Sequence, residues 1–520
     1  MNPYGPDPDL SESNRPDPDW PDTAEPSAVG VPIRYRRAPL LGLLVMALGP
    51  LAALTGLLVW SDAQADEHEA AERAGQVEAP AVEQVEAPTP ALTTSMATYR
   101  RVPAALAGLG ADNELAIAME QLAVFVDNRS CLAVSVEGRA VISWNGDVAV
   151  IPASTNKLLI AGAAIEVLGV DHRFTTSVAA PPAVDGVVDG DVYLVGGGDP
   201  LLVAGGFDLG DDAPNPAATT SLDALADAIV EAGITNIRGT VVGDATRYDD
   251  QYVNPTWGAG VAFVDAGPIG GLVVNDGRTV GRSGRQDDPG EAAAREFARL
   301  LRDRGVSVSG GWEAGIVEPG TPVLASVESA PLSSIVADML TRSDNDTAEM
   351  LVKELGVARA VTGTTPAGLQ VLGQVVRSWG VPMENTVLVD GSGLSANNRL
   401  TCDTLIGVLD HLADSPAVVG LAVAGRTGTL LEEFLGSPVE GRLVGKTGTL
   451  SNPPADADPP EVKALAGYLE AANGELLEFA IVLNGPGYVT TDGYIGYWSA
   501  LAERLAAYPD GPDPALLGPR

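Results

Sequence analysis

An uncharged run of 21 residues, Leu40 to Trp60, most constrains this chain of 520 residues. At about 1.5 Å of rise per residue, a helix of this length crosses a hydrocarbon core about 30 Å thick. Arg34, Arg36 and Arg37 precede the run, and such positive charge marks the side that stays in the cytoplasm. The sequence therefore predicts a transmembrane helix over residues 38–60, with the rest of the chain outside the cytoplasm.

A cleaved signal peptide is the competing interpretation, because Ala63-Gln64-Ala65 has the small-x-small pattern of a cleavage site. The run is longer than the usual apolar region of about 7–15 residues, and a long segment precedes it, so an uncleaved anchor is favoured. We expect a single-pass protein of the cell membrane, or a secreted protein if the signal is removed.

Two acidic, proline-containing segments flank the run. Residues 1–33 hold seven acids and one Arg, and residues 61–97 hold eight acids and one Arg. Segments of this kind bury little apolar surface, and like charges extend them. Residues 1–37 are thus predicted to be a disordered cytoplasmic tail, and residues 61–97 a stalk.

The charged and metal-binding residues limit the possible chemistry. A formal net charge of −38 argues against a general nucleic-acid binder, which needs a basic face. Three His and two Cys leave little material for a zinc site, and a Ser-His-Asp triad is disfavoured. Cys131 and Cys402 either pair in an oxidising compartment or remain buried thiols.

Strand-like and helix-like segments alternate after Thr98. CLAVSVEG and RAVISWNG predict two strands separated by a turn at Glu137-Gly138, and a helix is predicted from about Ser154 to Val167. Strand-like ALAGYL and EFAIVLNG precede a final helix, YIGYWSALAERLAAY. Strands at both ends with helices between them predict an α/β or α+β domain.

Ser154 and Lys157 stand three positions apart at the start of the first of these helices, so the hydroxyl and the amine lie on one face. A serine hydroxyl needs a base, and a lysine serves as one only when burial or a second cation lowers its pKa. The following sequence LLIAGAA would supply the burial. Taken alone, the pair is weak evidence, and a serine that caps the helix is the simpler interpretation.

Lys446-Thr447-Gly448-Thr449 follows the strand-like sequence RLVG. Its lysine and hydroxyl suit a substrate carboxylate, and its glycine lets a ligand approach closely. A phosphate loop fails on spacing, since three residues separate Gly441 from Gly445 where four are needed. Arg426-Thr427-Gly428-Thr429 is similar, but it has Arg in place of Lys and is interpreted as a chance likeness.

A third polar motif, Ser343-Asp344-Asn345, is by itself only a turn before a helix. The three motifs together are more specific, because Ser-x-x-Lys, Ser-Asp-Asn and Lys-Thr-Gly in this order are typical of penicillin-binding proteins and class A β-lactamases. With stretches such as GDVYLVGGGDPLL and DGSGLSANNRLT, the chain resembles the low-molecular-mass class C penicillin-binding proteins, the D-alanyl-D-alanine carboxypeptidase/endopeptidases. The resemblance covers most of residues 98–510.

This resemblance implies a serine β-lactamase/transpeptidase-like domain, an antiparallel sheet flanked by helices, formed by residues 98–174 and 326–520. An inserted domain over residues 175–325 would account for the 189 positions between Ser154 and Ser343. One departure is the sequence SNPPADADPPEVK after the third motif, where the family passes quickly to the next strand. We expect it to affect substrate access or binding.

The resemblance also implies a role for each motif residue. Ser154 would attack the carbonyl between two D-alanines and form an acyl-enzyme, while Lys157 takes its proton. Ser343 would pass a proton toward the leaving amine, and Asn345 would hold Lys157 and the substrate amide. Water would then release the acyl group.

The third motif would bind the substrate. Lys446 and Thr447 would hold the terminal carboxylate, beside Gly448, and Lys446 would keep Lys157 neutral by repulsion. Backbone N–H groups of Ser154 and Thr449 would form the oxyanion hole. Peptidoglycan stem peptides and β-lactam antibiotics are the implied partners, and no metal or organic cofactor is implied. The membrane is an expected partner through the N-terminal helix alone.

Two alternatives stay open. A serine β-lactamase would share the acylation machinery, but no Glu-x-x-Leu-Asn follows Ser343 to activate the deacylating water, and the long insertion disfavours it. A non-catalytic envelope-binding protein is compatible with the tail and the stalk. The completeness of all three motifs argues against that second alternative.

Overall fold

The computed structural model describes residues 102–207, 210, 213–258, 260–453 and 458–510. These residues lie within one compact unit, 94–520. The predicted tail, transmembrane helix and stalk over residues 1–97 fall outside the described residues. Within the described ranges, none of the helices is long and apolar enough to cross a membrane.

The described part combines helices and strands. The helices are α1 (Val102–Ala123), α2 (Lys157–Leu168), α3 (Leu222–Glu231), α4 (Pro289–Asp303), α5 (Leu332–Arg342), α6 (Asn345–Ala360), α7 (Thr365–Ser378), α8 (Cys402–Leu412) and α9 (Thr491–Ala507). The strands are β1 (Cys131–Val136), β2 (Arg139–Trp144), β3 (Thr175–Ala179), β4 (Val187–Val188), β5 (Val192–Val195), β6 (Leu202–Val203), β7 (Thr220–Ser221), β8 (Asn236–Ile237), β9 (Val241–Asp244), β10 (Ser307–Val308), β11 (Trp312–Ala314), β12 (Val323–Glu328), β13 (Ala422–Val423), β14 (Val444–Leu450), β15 (Val462–Glu470) and β16 (Leu476–Asn484).

A six-stranded antiparallel sheet, in the order β13-β14-β15-β16-β1-β2, is formed by residues that lie before Thr175 and after Glu328 in the sequence. Strands β1, β15 and β16 are buried on both faces, so their alternate side chains enter different cores. On β16, Ala480 and Val482 join one core, whereas Phe479 and Ile481 join the other. The predicted strand pair at the N-terminal end is confirmed as β1 and β2, with Glu137 and Gly138 between them.

Helices cover both faces of this sheet. α1 and α9 pack on one face through side chains such as Met119 and Trp498. On the other face lie α2 and α5 to α8, and α2 contributes Leu158, Leu159 and Ile160, all fully buried. The antiparallel sheet between helical layers confirms the α+β class. Because α2 runs through the core, its first residue, Lys157, is also buried.

Residues between Thr175 and Glu328 form sheets of their own. One has five strands in the order β11-β9-β5-β3-β12, and another has three parallel strands, β10-β8-β4. The first and last strands of this part, β3 and β12, pair antiparallel. The chain therefore enters and exits this part through two adjacent strands. Residues 94–520 nevertheless form one compact unit, and the division at 175 and 325 stays a prediction.

A disulfide bond links Cys131 at the start of β1 to Cys402 at the start of α8, with 5.9 Å between the Cα atoms. The sequence left the pairing of these cysteines open. The bond joins the central sheet to the helical layer that carries α2.

Candidate active site

Ser154 lies in a short 3-10 turn, Ala153–Asn156, that leads directly into α2. The prediction of an α-helix from about Ser154 is therefore three residues early. The interpretation of Ser154 as a helix cap is wrong, since Asn156 holds the cap position and no side chain caps the helix. Ala153 has a φ of 48°, a left-handed conformation that costs a non-glycine residue about 1–3 kcal/mol and is typical of functional sites.

Lys157 is fully buried, and its amine contacts three oxygen atoms. Its Nζ lies 2.9 Å from Ser154 Oγ, 2.7 Å from Asn345 Oδ1 and 2.7 Å from the carbonyl oxygen of Ser392. The structure thus brings together Ser154, Lys157 and Asn345, as the sequence motifs predict. Ser392 is an additional member that the motifs did not include.

The chemical nature of these partners determines where the hydrogens of Lys157 point. An amide oxygen and a backbone carbonyl oxygen only accept hydrogen bonds. The orientation of the Asn345 amide is set by its Nδ2, which donates to the carbonyl oxygen of Asp265 at 2.9 Å. A neutral Lys157 therefore directs its two hydrogens at Asn345 and Ser392, and its lone pair faces the hydroxyl of Ser154.

Burial lowers the pKa of Lys157 to about 8, although nearby carboxylates, foremost Asp344, oppose the shift. A neutral amine is consequently accessible close to neutral pH, as a general base requires. Lys446 is also fully buried, and its pKa lies well below the usual value because of burial and, second, the charge of Lys157. The expected repulsion thus acts mainly on Lys446, and burial is the principal cause at Lys157.

The Ser-Asp-Asn motif forms the turn between α5 and α6. Ser343 ends α5 in a left-handed conformation with a φ of 64°. Asp344 caps α6 by accepting from the backbone N–H of Thr347 at 2.6 Å, so the simple interpretation as a helix-starting turn is also correct. Asn345 alone of the three hydrogen-bonds to Lys157, and no bond within the described part joins the Ser343 hydroxyl to Ser154.

Lys446, Thr447, Gly448 and Thr449 lie on β14 beside the Ser154 turn. A Cβ on Gly448 would lie 2.9 Å from the carbonyl oxygen of Pro152 and 3.1 Å from the backbone nitrogen of Ser154. Glycine is therefore needed there for close approach. This approach places β14 next to the backbone of the Ser154 turn, where the oxyanion hole was predicted.

One side of β14 is largely unpaired. β13 pairs only with Val444 and Gly445, because the chain before Ala422 turns away and packs on α5 at Gly420. Within the described ranges, no strand pairs with that side of Lys446–Leu450. Thr449 is exposed, and its hydroxyl accepts from Lys463 Nζ at 3.3 Å. This edge is open to a ligand.

Sequence reasoning missed the support behind Lys157. Glu349 on α6 is buried and accepts from the backbone N–H groups of Gly391 and Ser392, at 2.9 and 2.7 Å. Asn156 Nδ2 donates to the carbonyl oxygens of Asp390 and Gly391, both at 3.1 Å. The only signal in the sequence was the glycine-containing stretch DGSG.

No group of three or more His, Cys, Asp or Glu among the described residues is arranged to hold a metal ion. The groups that meet at the amine of Lys157 are a serine hydroxyl, an amide oxygen and a backbone carbonyl oxygen. Such a set supports acyl transfer by a serine nucleophile with a lysine base.

Comparison with known proteins agrees with this chemistry. The model of the D-Ala-D-Ala carboxypeptidase 3 (S13) family matches residues 113–285 and 267–496. This chain belongs to the S13 family. As an S13 member it is a serine-type hydrolase, and it is a DD-peptidase by class.

Two S13 relatives cover most of the described residues. The D-alanyl-D-alanine carboxypeptidase of Actinomadura sp. (strain R39) is 31% identical over 456 residues, 71% of this chain and 79% of the relative. Carboxypeptidase Rv3627c of Mycobacterium tuberculosis is 32% identical over 355 residues, 66% of this chain and 72% of the relative.

A solved structure shows the same fold. Penicillin binding protein 4 (dacB) from Haemophilus influenzae superposes with a TM-score of 0.61 at 20% identity, covering 74% of this chain and 98% of the other. The fold that the two chains share thus includes both the central sheet and the strands between Thr175 and Glu328.

Proposed function

We propose that Ser154 is the nucleophile and Lys157 the general base of a DD-peptidase that cleaves the D-Ala-D-Ala bond of peptidoglycan stem peptides. The three contacts of Lys157 carry this proposal, because two acceptors fix its hydrogens and leave the lone pair facing Ser154. Ser154 Oγ attacks the carbonyl carbon while its proton passes to Lys157. The C–N bond then breaks and leaves an acyl-enzyme ester.

The remaining motif residues complete the cycle. Ser343, next to Asn345 in the α5–α6 turn, delivers the proton of its hydroxyl to the leaving amine of D-Ala and takes up the proton that Lys157 received from Ser154, so Lys157 is neutral again. The N–H groups of Ser154 and Thr449 stabilise the oxyanion, each at about 3–4 kcal/mol. Lys157 then activates the water that hydrolyses the ester, and the product acid leaves.

Lys446 and Thr447 hold the terminal carboxylate of the substrate. The open edge at Lys446–Leu450 supports this placement, since it runs directly past the Ser154 turn. The same anchor accommodates the carboxylate of a β-lactam, which acylates Ser154.

Labelling with a fluorescent penicillin tests the nucleophile. Wild type is expected to bind the label covalently, and S154A is expected to bind none. S378A, which removes an exposed serine hydroxyl on α7 that bonds only within its own helix, is the matched control and should label like wild type. An unlabelled wild type would exclude this function, and rapid release of hydrolysed penicillin would instead indicate a β-lactamase.

The unpaired edge at Lys446–Leu450 is compatible with carboxypeptidase and with endopeptidase activity. We propose that the enzyme removes a terminal D-Ala and also cleaves D-Ala cross-links. Digestion of uncross-linked and cross-linked muropeptides by the purified ectodomain separates the two, because loss of D-Ala and conversion of dimers to monomers give different products. Cleavage of only one class would assign the activity.

We also propose that residues 38–60 anchor the enzyme in the cell membrane with the catalytic part outside. The support is the uncharged run from Leu40 to Trp60 and the arginines that precede it. Full-length protein should stay with washed membranes and be released from them by detergent. Recovery of a protein that begins near residue 66 in the medium would favour signal cleavage.

A further inference from the structure

The Arg426–Thr429 segment, interpreted from sequence as a chance likeness of the third motif, lies against that motif. Thr447 Oγ1 donates to Thr429 Oγ1 at 2.8 Å. Thr447 itself is only 8% exposed, whereas Thr429 is exposed. The outermost hydroxyl at this point of the β14 edge therefore belongs to Thr429.

The position of Thr429 is fixed by its two neighbours. Gly428 has a φ of 55°, and a Cβ there would lie 2.2 Å from the carbonyl oxygen of Thr341 in α5. On the other side, Leu430 is fully buried in the core beneath the sheet. Thr429 is thus held between β14 and the end of α5, which leads directly to Ser343.

The hydroxyls of Thr429 and Thr447 together leave one hydrogen for a bond to a ligand. Two threonine hydroxyls carry two hydrogens, and one is used in the bond between them. Among the described residues, Thr447 is the single hydrogen-bond partner of the Thr429 hydroxyl. The second hydrogen is therefore available at the exposed member, and its donor is already polarised by the first bond.

We propose that Thr429 donates a hydrogen bond to the terminal carboxylate of the substrate, with Thr447 behind it. This inference rests on the proposed function and changes one assignment, because Thr447 then acts through Thr429. A hydrogen bond to a charged group is among the stronger ones. Thr429 thereby becomes a substrate-positioning residue for peptides with a free C-terminus.

Substitution of Thr429 by Val removes the hydroxyl and keeps the shape, whereas T429S keeps the hydroxyl. With an N-acetylated peptide ending in D-Ala-D-Ala, T429V is expected to raise KM about 10- to 100-fold, with kcat within about twofold of wild type. T429S should restore the wild-type KM. T235V, which changes an exposed threonine in the part between Thr175 and Glu328, is the matched control and should match wild type.

A second substrate separates a carboxylate contact from a structural effect. For the same peptide with a C-terminal carboxamide, whose oxygen still accepts a hydrogen bond but carries no charge, T429V should lose clearly less kcat/KM relative to wild type than it loses for the acid. An unchanged KM for the acid, or equal losses for acid and carboxamide, would overturn the inference. A wild type with neither peptide turnover nor penicillin labelling would instead overturn the proposed function.

Discussion

Lys157 donates to the carbonyl oxygen of Ser392 at 2.7 Å, although 235 positions separate the two residues. The contact depends on Glu349, whose carboxyl accepts from the N–H groups of Gly391 and Ser392. Burial raises the pKa of Glu349 to about 8. A buried acid thus fixes the acceptor to which the amine of Lys157 donates.

Removing this acceptor should impair the base more than substrate binding. E349M leaves two buried N–H groups unpaired, at a cost of about 1–3 kcal/mol each, and shifts the Ser392 carbonyl. We expect a lower melting temperature and penicillin acylation at least about tenfold slower. E349Q retains an acceptor oxygen and should stay within about threefold of wild type. Equal acylation by E349M and wild type would contradict this role.

The pKa of Lys157 predicts the pH dependence of acylation. The base must be neutral, and with a pKa of about 8 its neutral fraction falls as pH decreases below that value. The second-order rate constant for penicillin acylation should therefore decrease about tenfold per pH unit below pH 8. Stopped-flow measurements from pH 5.5 to 9.5 test this.

Glu349 titrates in the same range, so E349Q is the control for that profile. If the decrease in the acylation rate constant below pH 8 persists in E349Q, that decrease is due to the titration of Lys157. If the decrease disappears in E349Q, or if its midpoint in wild type lies near pH 6, the assignment to Lys157 is contradicted.

A buried ion pair connects the part between Thr175 and Glu328 to α6, at the residue that directly follows the Ser-Asp-Asn motif. Arg285 Nη1 lies 2.6 Å from Asp346 Oδ2, and Asp346 Oδ1 accepts from the N–H of Gly267 at 2.6 Å. R285M leaves the carboxylate buried without its partner and should lower the free energy of unfolding by about 3–5 kcal/mol. R285M/D346N should recover part of this loss, because the amide is neutral and still accepts from Gly267.

The ionisation of Asp346 determines how the loss of stability in R285M changes with pH. Burial raises its pKa to about 7, although Arg285 opposes the shift. Below that pH the carboxyl is neutral, so the defect of R285M should be smaller at pH 6 than at pH 8. Urea unfolding at both values measures it, and a defect that grows toward acid would contradict this account.

The disulfide between Cys131 and Cys402 should contribute substantially to stability, since it closes a loop with a sequence separation of 271 residues. C131A/C402A is expected to lose about 2–5 kcal/mol of unfolding free energy. Penicillin labelling at low temperature should persist, because neither cysteine contacts the site. Dithiothreitol should lower the melting temperature of wild type and leave that of C131A/C402A unchanged. Equal changes in the two melting temperatures would exclude a native disulfide bond.

The sequence predicts two kinds of site contact: those between residues close in sequence, and those between residues of recognisable motifs. Ser154 and Lys157 are three positions apart, from the 3-10 turn to the first residue of α2, and residues at this spacing lie on one side of a 3-10 turn as they do on an α-helix, so their contact follows from local geometry. Asn345 is 188 positions from Lys157, and only the order of the motifs connected them. The antiparallel sheet followed in the same way from a family resemblance, together with strand-like segments at both ends of the chain.

The rest depends on tertiary contacts that leave little trace in sequence. Ser392 acts through a backbone carbonyl, which every residue possesses. Thr429 was set aside because Arg426 replaces a lysine, yet its function depends on a hydroxyl that reaches β14 only in the folded chain. The helix start was misplaced because apolar periodicity does not distinguish a 3-10 turn from the first turn of an α-helix.

The unpaired side of Lys446–Leu450 has a consequence for selectivity. In the proposed function, a stem peptide bound there would add itself to the sheet as a further strand, as extended ligands do on other exposed edges. Main-chain pairing of this kind does not depend on the identity of the side chains. The ligand would therefore be selected by its end, where Thr429 and Lys446 are proposed to bind a free carboxylate. The edge is also only five residues long, which limits its capacity to capture other chains before substrate arrives.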